Sequence, residues 1–99
     1  MIRRLGKIGL INKKARQEIA RISEEKQIYF CELQLIPECM NEAHAPAHRH
    51  PRVWYRSSPE LLCDYKQWVG ACQACHSYLD HKLSMEETEE IFLRIRGPE

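Results

Sequence analysis

The sequence predicts a single small α+β domain, residues 1–99, in which short strands and helices are tied together by two pairs of cysteines. A chain of 99 residues can form one domain with a modest apolar core. Apolar residues recur at helical spacing near both ends, whereas the middle holds short apolar runs, prolines and all five cysteines. A core of this size usually needs an added constraint, which paired cysteines can supply.

The first segment, residues 1–27, is predicted to contain a basic arm and an amphipathic helix from Asn12 to about Gln27. Ala15, Ile19 and Ile22 recur at helical spacing among charged residues and form a narrow apolar stripe. This stripe can pack on the core or on a second copy of the chain. The sequence therefore allows a homodimer.

The central segment, residues 28–83, is predicted to contain two short strands and a long loop. QIYF favours a strand leading into Cys31, and NEAHA favours a second strand. Residues 46–59 hold three prolines and show no periodicity, so they are predicted to form a loop. A Ser-Pro pair then starts a short helical stretch through ELLCDYKQ, and WVGA returns the chain to Cys72.

Two helices are predicted in the last third of the chain. The first begins near Cys75 and buries Leu79 and Leu83. A Ser-x-x-Glu capping box starts the second, within residues 84–97, and a Gly-Pro pair stops it. The apolar stripe of this last helix consists of Ile91, Phe92 and Ile95.

The cysteines form the pattern Cys31-x7-Cys39 and Cys72-x2-Cys75. Four thiolates from two turns can close a tetrahedral zinc site, which contributes on the order of 10 kcal/mol to folding in small zinc modules. One alternative is that Cys31 or Cys39 is only a buried small residue. Another is a redox pair at Cys72 and Cys75, but the longer alternating strand–helix pattern of such folds is missing. Cys63 is left over and is predicted to pack in the core.

The chain is expected to reside in a reducing cytoplasm. Its first residues are basic but lack the apolar run and cleavage pattern of a signal peptide. No segment approaches the ~20 apolar residues of a membrane helix, so no membrane contact is expected. In this compartment a Cys-x-x-Cys pair favours metal binding over a disulfide.

The formal net charge is only +1, but the charge is unevenly distributed. Residues 1–17 are basic without any acid, and residues 43–58 are also free of acid. The second stretch contains the arginines Arg49, Arg52 and Arg56 and the aromatic residues Trp54 and Tyr55. Guanidinium groups beside aromatic rings suit phosphate contacts and base stacking, so these arginines are predicted to bind DNA. The alternative is an ordinary solvated loop.

His76 and Asp80 lie four residues apart on a predicted helix, which places them about 5–6 Å apart on one face. They could share a divalent ion such as Mg²⁺, Mn²⁺, Ni²⁺ or Zn²⁺, or they could be a plain surface pair. If a metal joins the turns at Cys39 and Cys75, the strand carrying His44 should face the helix carrying His76. A neutral imidazole can take a proton from water while a metal neutralises a phosphate. Phosphodiester hydrolysis requires such a proton acceptor and such a metal ion.

The chain contains, in order, two cysteines in a zinc-knuckle loop, an Ala-His on the next strand, a further loop, and a Cys-x-x-Cys-His that opens a helix. In this order of motifs the chain resembles the zinc-bearing HNH endonucleases, also called His-Me finger or ββα-metal nucleases. The similarity covers about Cys31 to His81, and small prophage-encoded members carry CxxxxxxxC, AH and CxxCHxxxD in this order. It implies a ββα-metal core with a four-cysteine zinc site, flanked by an N-terminal and a C-terminal helix. It also implies a phage-encoded, metal-dependent DNA endonuclease that hydrolyses phosphodiester bonds in recombination or branched DNA.

The resemblance further implies a role for each matching residue. His44 would be the general base, and His76 and Asp80 would bind the catalytic divalent metal. The structural zinc would be held by Cys31, Cys39, Cys72 and Cys75. Many members carry another ligand where this chain has Ala43, so the catalytic metal would be held by fewer protein groups or also by His48.

Three further positions are left open by the resemblance. Gln67 stands where the family usually has an asparagine, Asp64 lies nearby, and Glu42 shares a strand face with His44. Each could orient the base or bind metal. The alternative to an enzyme is a non-catalytic zinc module that binds nucleic acid or a protein partner.

Overall fold

A long N-terminal helix, a two-stranded sheet and two C-terminal helices form the regular part of the chain. The computed structural model describes residues 7–99, with side chains described from residue 13 onward. The elements are α1 (Lys7–Glu25), β1 (Ala45–His48), β2 (Trp68–Ala71), α2 (Gln73–Lys82) and α3 (Met85–Arg96). Three short 3₁₀ helices lie between the strands, at Arg52–Tyr55, Pro59–Cys63 and Tyr65–Gln67. The predicted α+β class is confirmed.

Helix α1 begins earlier than predicted, and its apolar stripe is buried as expected. Ala15 and Ile19 are both buried, and Ala15 packs with Tyr55 and Leu62 from the segment between the strands. The helix therefore covers this segment. The predicted basic arm lies partly outside the described residues, because residues 1–6 are not among them.

The strands β1 and β2 pair antiparallel, from Ala45 opposite Ala71 to His48 opposite Trp68. The two predicted strand positions were wrong in detail. QIYF contributes only an isolated bridge between Phe30 and Glu42, and the strand expected at NEAHA begins at its last residue, Ala45, and continues to His48 in the predicted loop. Period-2 alternation is a weak signal over runs this short.

Pro46 lies within β1, where a proline is unusual. It faces Gly70 at a position where the two strands do not exchange hydrogen bonds, since the N–H and C=O of Gly70 both bond to Glu32. The missing N–H of proline therefore removes no ladder hydrogen bond. A side chain at Gly70 would meet Ile28 at 2.7 Å, so glycine allows this close approach.

The main core lies between the sheet, the cysteine-bearing loop and the two C-terminal helices. Its buried members are Cys31, Leu33, Ala47, Val69, Ala71, Cys72, Cys75, Leu79, Ile91 and Phe92. Leu83 and Ile95 pack against this cluster, which confirms the stripes predicted for α2 and α3. Cys63 is half-buried beside the smaller cluster under α1.

Helix α3 begins at the predicted capping box. The Ser84 hydroxyl accepts a hydrogen bond from the Glu87 N–H at 3.1 Å, and the Glu87 carboxylate accepts one from the Ser84 N–H at 2.9 Å. Gly97 ends the helix with a φ of 82°, a conformation that favours glycine. Residue type and spacing alone therefore defined both ends of this helix.

Ser84→Ala should lower the free energy of unfolding by about 1 kcal/mol, because the Glu87 N–H loses the hydroxyl that accepts its hydrogen bond. Urea denaturation followed by circular dichroism measures the change. Ser77→Ala, at an exposed position in the interior of α2, is the matched control and should change stability by less than about 0.5 kcal/mol. Equal losses in the two variants would contradict the role of the cap.

Within residues 7–99, no helix combines the length and apolar character that a membrane span requires.

Candidate functional site

The four cysteines of the predicted pattern converge on one point. The Sγ atoms of Cys31, Cys39, Cys72 and Cys75 all lie within 4.8 Å of one another. The Cys39 and Cys72 sulfurs are 3.8 Å apart, which matches the edge of about 3.8 Å in a tetrahedron with Zn–S bonds of about 2.3 Å. The cluster could therefore bind a metal such as zinc.

Backbone geometry orients these sulfurs. Cys72 is the N-cap of α2, and its Sγ accepts hydrogen bonds from the N–H groups of Cys75 at 3.3 Å and Met40 at 3.4 Å. The Leu35 N–H donates to the Cys75 Sγ at 3.4 Å. Such outer contacts fix the direction of a metal ligand and favour its thiolate form.

The thiols of the cluster differ in acidity. Burial opposes the ionisation of Cys72, but the N–H groups of Cys75 and Met40 and the neighbouring thiols lower its pKa to about 6. Burial, together with the sulfurs of Cys39 and Cys72, raises the pKa of Cys75 to about 12. Because adjacent negative charges repel, several thiolates can coexist here only around a cation.

His76 and Asp80 lie together on α2, as predicted. The His76 Nε2 is 3.3 Å from a carboxylate oxygen of Asp80, and both side chains reach solvent. Asp80 also lines a groove of about 250 Å³ that includes His48, Leu79 and Leu83. Asp80, but not His76, therefore borders a cavity large enough for an ion and part of a substrate.

His44 does not join this pair. Its side chain is 42% exposed, and its Nε2 is 3.7 Å from the Glu42 carboxylate. It lines a different groove, of about 380 Å³, between α1 and the sheet. Among the described residues, two groups bring three or more potential metal ligands within 4.8 Å of one another. One is the four cysteines, and the other consists of His50, Glu89 and Glu99. The structure thus does not assemble His44, His76 and Asp80 into one metal-binding group.

His48, at the end of β1, has the environment expected of a proton acceptor. Its Nε2 is 2.8 Å from the Leu62 carbonyl oxygen, and its ring meets the edge of Tyr55 at 5.4 Å. A carbonyl only accepts hydrogen bonds, so Nε2 carries the proton and Nδ1 keeps its lone pair.

The electrostatic surroundings of His48 keep its imidazole neutral. Burial lowers the pKa of His48, the Leu62 carbonyl partly offsets this, and the charges of Arg52 and His76 lower it further. The sequence suggested His48 only as an additional metal ligand.

The prediction that Arg49 contacts phosphate is wrong. Its side chain is 0% exposed, and its Nε donates to both carboxylate oxygens of Glu89 at 2.9 and 3.1 Å. Its Nη1 donates to the carbonyls of Lys66 at 3.2 Å and Gly97 at 3.0 Å. The guanidinium is therefore used inside the fold, because a buried cation needs a counter-ion and acceptors.

Arg52 and Arg56, by contrast, are exposed at the two ends of the segment that carries Trp54. Neither forms a salt bridge within the part of the chain that the structure describes. Both remain available for phosphate.

Gln67 and Asp64 serve local structure. Gln67 is buried, accepts a hydrogen bond from the Tyr55 hydroxyl at 3.0 Å and donates to the Glu99 carboxylate at 2.6 Å. The same Glu99 oxygen is 2.8 Å from the His50 Nε2. Asp64 accepts from the N–H two residues later and caps a 3₁₀ helix. Gln67 thus supports the loop around His50.

A second buried ion pair had no signal in the sequence. Both Nη atoms of Arg96 donate to the Glu32 carboxylate, at 2.6 and 2.7 Å, and the guanidinium lies 3.8 Å from the centroid of the Tyr65 ring. Glu32 also accepts from the Gly70 N–H at 2.8 Å. Helix α3 is thereby tied to β2 through a residue of the cysteine-bearing loop.

Comparisons of the chain with protein-family models, with curated proteins and with solved structures found no match.

Proposed function

We propose that the four cysteines hold a structural Zn²⁺ and that the chain is a metal-dependent DNA endonuclease of the HNH type. The observation that carries the proposal is the placement of His48 on the groove that also contains Asp80. A neutral imidazole and a carboxylate thus border one cavity, and the carboxylate is 3.3 Å from the His76 imidazole. The sequence resemblance supplies the reaction class, hydrolysis of a phosphodiester bond, and the ββα-metal identity of the core.

Within this proposal His48, and not His44, is the general base. Its Nε2 is fixed by the Leu62 carbonyl, which leaves Nδ1 to accept a proton from the attacking water. The Leu62 carbonyl also stabilises the imidazolium that forms after proton transfer. Among the described side chains, the His44 imidazole is paired with the exposed Glu42 carboxylate and with no buried acceptor.

His76 and Asp80 are the proposed protein ligands of a catalytic divalent ion, Mg²⁺, Mn²⁺, Ni²⁺ or Zn²⁺. Such an ion, when bound, neutralises the phosphate and stabilises the leaving oxygen. The imidazole and carboxylate are 3.3 Å apart, so a small rotation of either side chain opens a position between them. The structural zinc fixes the start of the helix that carries both ligands, since Cys72 caps α2 and Cys75 lies in its first turn.

The DNA contacts rest on the exposed arginines, and the form of the DNA and its phage context rest on the sequence resemblance. Exposed Arg52 and Arg56 hold DNA phosphates, and the substrate is recombination or branched DNA in the cytoplasm of a bacterium that carries the phage gene. A homodimer would place two active sites on opposite strands.

Nicking of supercoiled plasmid by the zinc-loaded protein, with each divalent ion added in turn, tests the reaction and its base. His48→Ala should lower the initial rate by about 10²–10⁴-fold, since it removes the proton acceptor. The matched variant His44→Ala should stay within about threefold of wild type. If His44→Ala were the inactive variant and His48→Ala retained its rate, the base would be at the position that sequence alone suggested.

The pH dependence of nicking gives an independent check on His48. A base must be deprotonated, so the rate should rise with pH through its pKa and then level off. Because burial lowers the pKa of His48, the acidic limb should lie below the ordinary histidine value of about 6.5. An acidic limb centred well above 6.5 would contradict His48 as the base.

The second candidate function is a non-catalytic zinc module that binds nucleic acid or a protein partner. The separation of His44 from His76 and Asp80 favours it, because the three residues expected to form one active site do not form one group of ligands. It predicts DNA binding without nicking under every metal condition. Wild-type protein that retains zinc and binds DNA but never nicks would establish this function over the enzyme.

A further inference from the structure

We propose that the indole of Trp54 is a stacking platform for an unpaired DNA base, and that Arg52 and Arg56 hold the phosphates beside that base. This inference rests on the proposed function and names the form of DNA that the site prefers. The observation that carries it is an exposed indole backed by the His50 ring, next to the groove of His48 and Asp80, with an exposed arginine two residues before it and another two residues after it.

The indole is exposed but held in place. Trp54 is 43% exposed and lies on the 3₁₀ helix Arg52–Tyr55. It stacks on the His50 ring with the centroids 4.0 Å apart and the planes at 22°, and it meets the buried Tyr55 ring edge-on at 5.0 Å. One face of the indole is thus backed by an imidazole, while the side chain still presents aromatic surface to solvent.

The backing of Trp54 is itself fixed. The His50 Nε2 is 2.8 Å from the Glu99 carboxylate, and the His50 N–H donates to the Tyr55 hydroxyl at 3.2 Å. The Tyr55 hydroxyl also donates to Gln67 at 3.0 Å. Little conformational freedom is therefore lost when a ring settles on Trp54, and preorganisation of this kind increases affinity.

The charge around Trp54 fits a nucleic acid strand. Arg52 and Arg56 flank it in the sequence, both are exposed, and neither has an ion-pair partner among residues 13–99. The whole stretch from residue 43 to residue 58 contains no acidic residue. An aromatic ring between cations matches a base between two phosphates.

The preference for an unpaired base follows from stacking geometry. Bases in a duplex already stack on their neighbours, so only an unpaired or extruded base can offer its face to an indole. His50 and Pro51 line the groove of His48 and Asp80, and His50 stacks on Trp54. A base on the platform therefore places an adjoining phosphodiester at that groove, as a branched or single-stranded substrate allows.

The experiment measures binding without added divalent ion, so that its outcome does not depend on cleavage. Fluorescence anisotropy of the zinc-loaded full chain uses three labelled oligonucleotides of one length: a single strand, its duplex, and a strand with abasic sites throughout its central third. Trp54→Ala should weaken binding of the single strand by about 5- to 100-fold. Binding of the duplex and of the abasic strand should change less than about twofold.

Two conservative variants separate stacking from folding. Trp54→Phe keeps an aromatic face and should retain most of the affinity, whereas Trp54→Leu keeps apolar bulk and should lose it, even if Trp54→Ala folds poorly. Intrinsic fluorescence should also be quenched by the single strand in wild type, because Trp68, the other tryptophan, is fully buried. Arg56→Ala should reduce the salt dependence of single-strand binding.

Equal affinity of Trp54→Leu and Trp54→Phe for the single strand would overturn the proposal, as would equal weakening of single strand, duplex and abasic strand by Trp54→Ala. Base-dependent binding through Trp54 without any nicking would instead sustain the platform and reject the nuclease. Nicking by a protein whose binding does not depend on the bases would instead sustain the nuclease and reject the stacking platform.

Discussion

Cys72→Ser is expected to leave the chain unfolded or insoluble at 25 °C, the largest effect of any single substitution in this protein. Cys72 caps α2, lies at 0% exposure and shares the cluster with three other sulfurs. Structural zinc binding is worth on the order of 10 kcal/mol in small modules, which exceeds the whole stability of a domain with a core this small. Removing one thiolate ligand should forfeit most of that free energy.

Metal analysis of purified protein, together with circular dichroism, measures this result. Wild type should carry one zinc per chain, and a strong chelator should unfold it. Cys63→Ser is the matched control, since Cys63 lies outside the cluster and its Sγ donates only to the Glu60 carbonyl. Wild-type protein that remained folded with no bound metal would contradict the zinc assignment.

Arg49→Ala should lower the free energy of unfolding by about 2–3 kcal/mol, because it removes a fully buried guanidinium, whereas the Glu89 carboxylate left behind is 37% exposed and can be hydrated. The substitution leaves the Glu89 carboxylate without its cation and two carbonyl groups without their donor. Arg49→Lys should recover only part of the loss, because one ammonium cannot reproduce the planar set of donors.

Arg52→Ala is the control for this prediction and should change stability by less than about 0.5 kcal/mol, since its guanidinium is exposed. Urea denaturation of the three variants under identical zinc conditions gives the comparison. If Arg49→Ala were as stable as Arg52→Ala, the ion pair with Glu89 would contribute nothing to the fold. Loss of DNA binding by Arg49→Ala could then be assigned to phosphate contact.

The helices were predictable because their signals are local. The stripe of Ala15 and Ile19, the buried face of Leu79 and the capping box at Ser84 each depend on residues three or four apart. The cysteine cluster was also predictable, although its pairs are distant in sequence, because metal chemistry restricts which residue types can meet. The helical elements and the cysteine cluster thus followed from short patterns.

The strands and the position of the proposed base were not predictable in the same way. β1 contains a proline whose tolerance depends on the register of the strand pair, which places Pro46 opposite Gly70 at a position without ladder hydrogen bonds. The partner of Arg49 is 40 residues away, and no periodic pattern marks Glu89 as that partner. The Leu62 carbonyl distinguishes His48 from His44 as the proposed base, and it is a backbone group that no side-chain motif can reveal.

The hydrogen bonds of Glu32 to Gly70 have a consequence for association between chains. A two-stranded sheet has two open edges, and each could template cross-β pairing with another molecule. On β2 the outward N–H and C=O of Gly70 are occupied by Glu32, and Arg96 holds that carboxylate in place. On β1 the outward position belongs to Pro46, which has no N–H to donate. Both edges are thus blocked at their middle, so strand-to-strand aggregation should be suppressed wherever helix α3 stays docked.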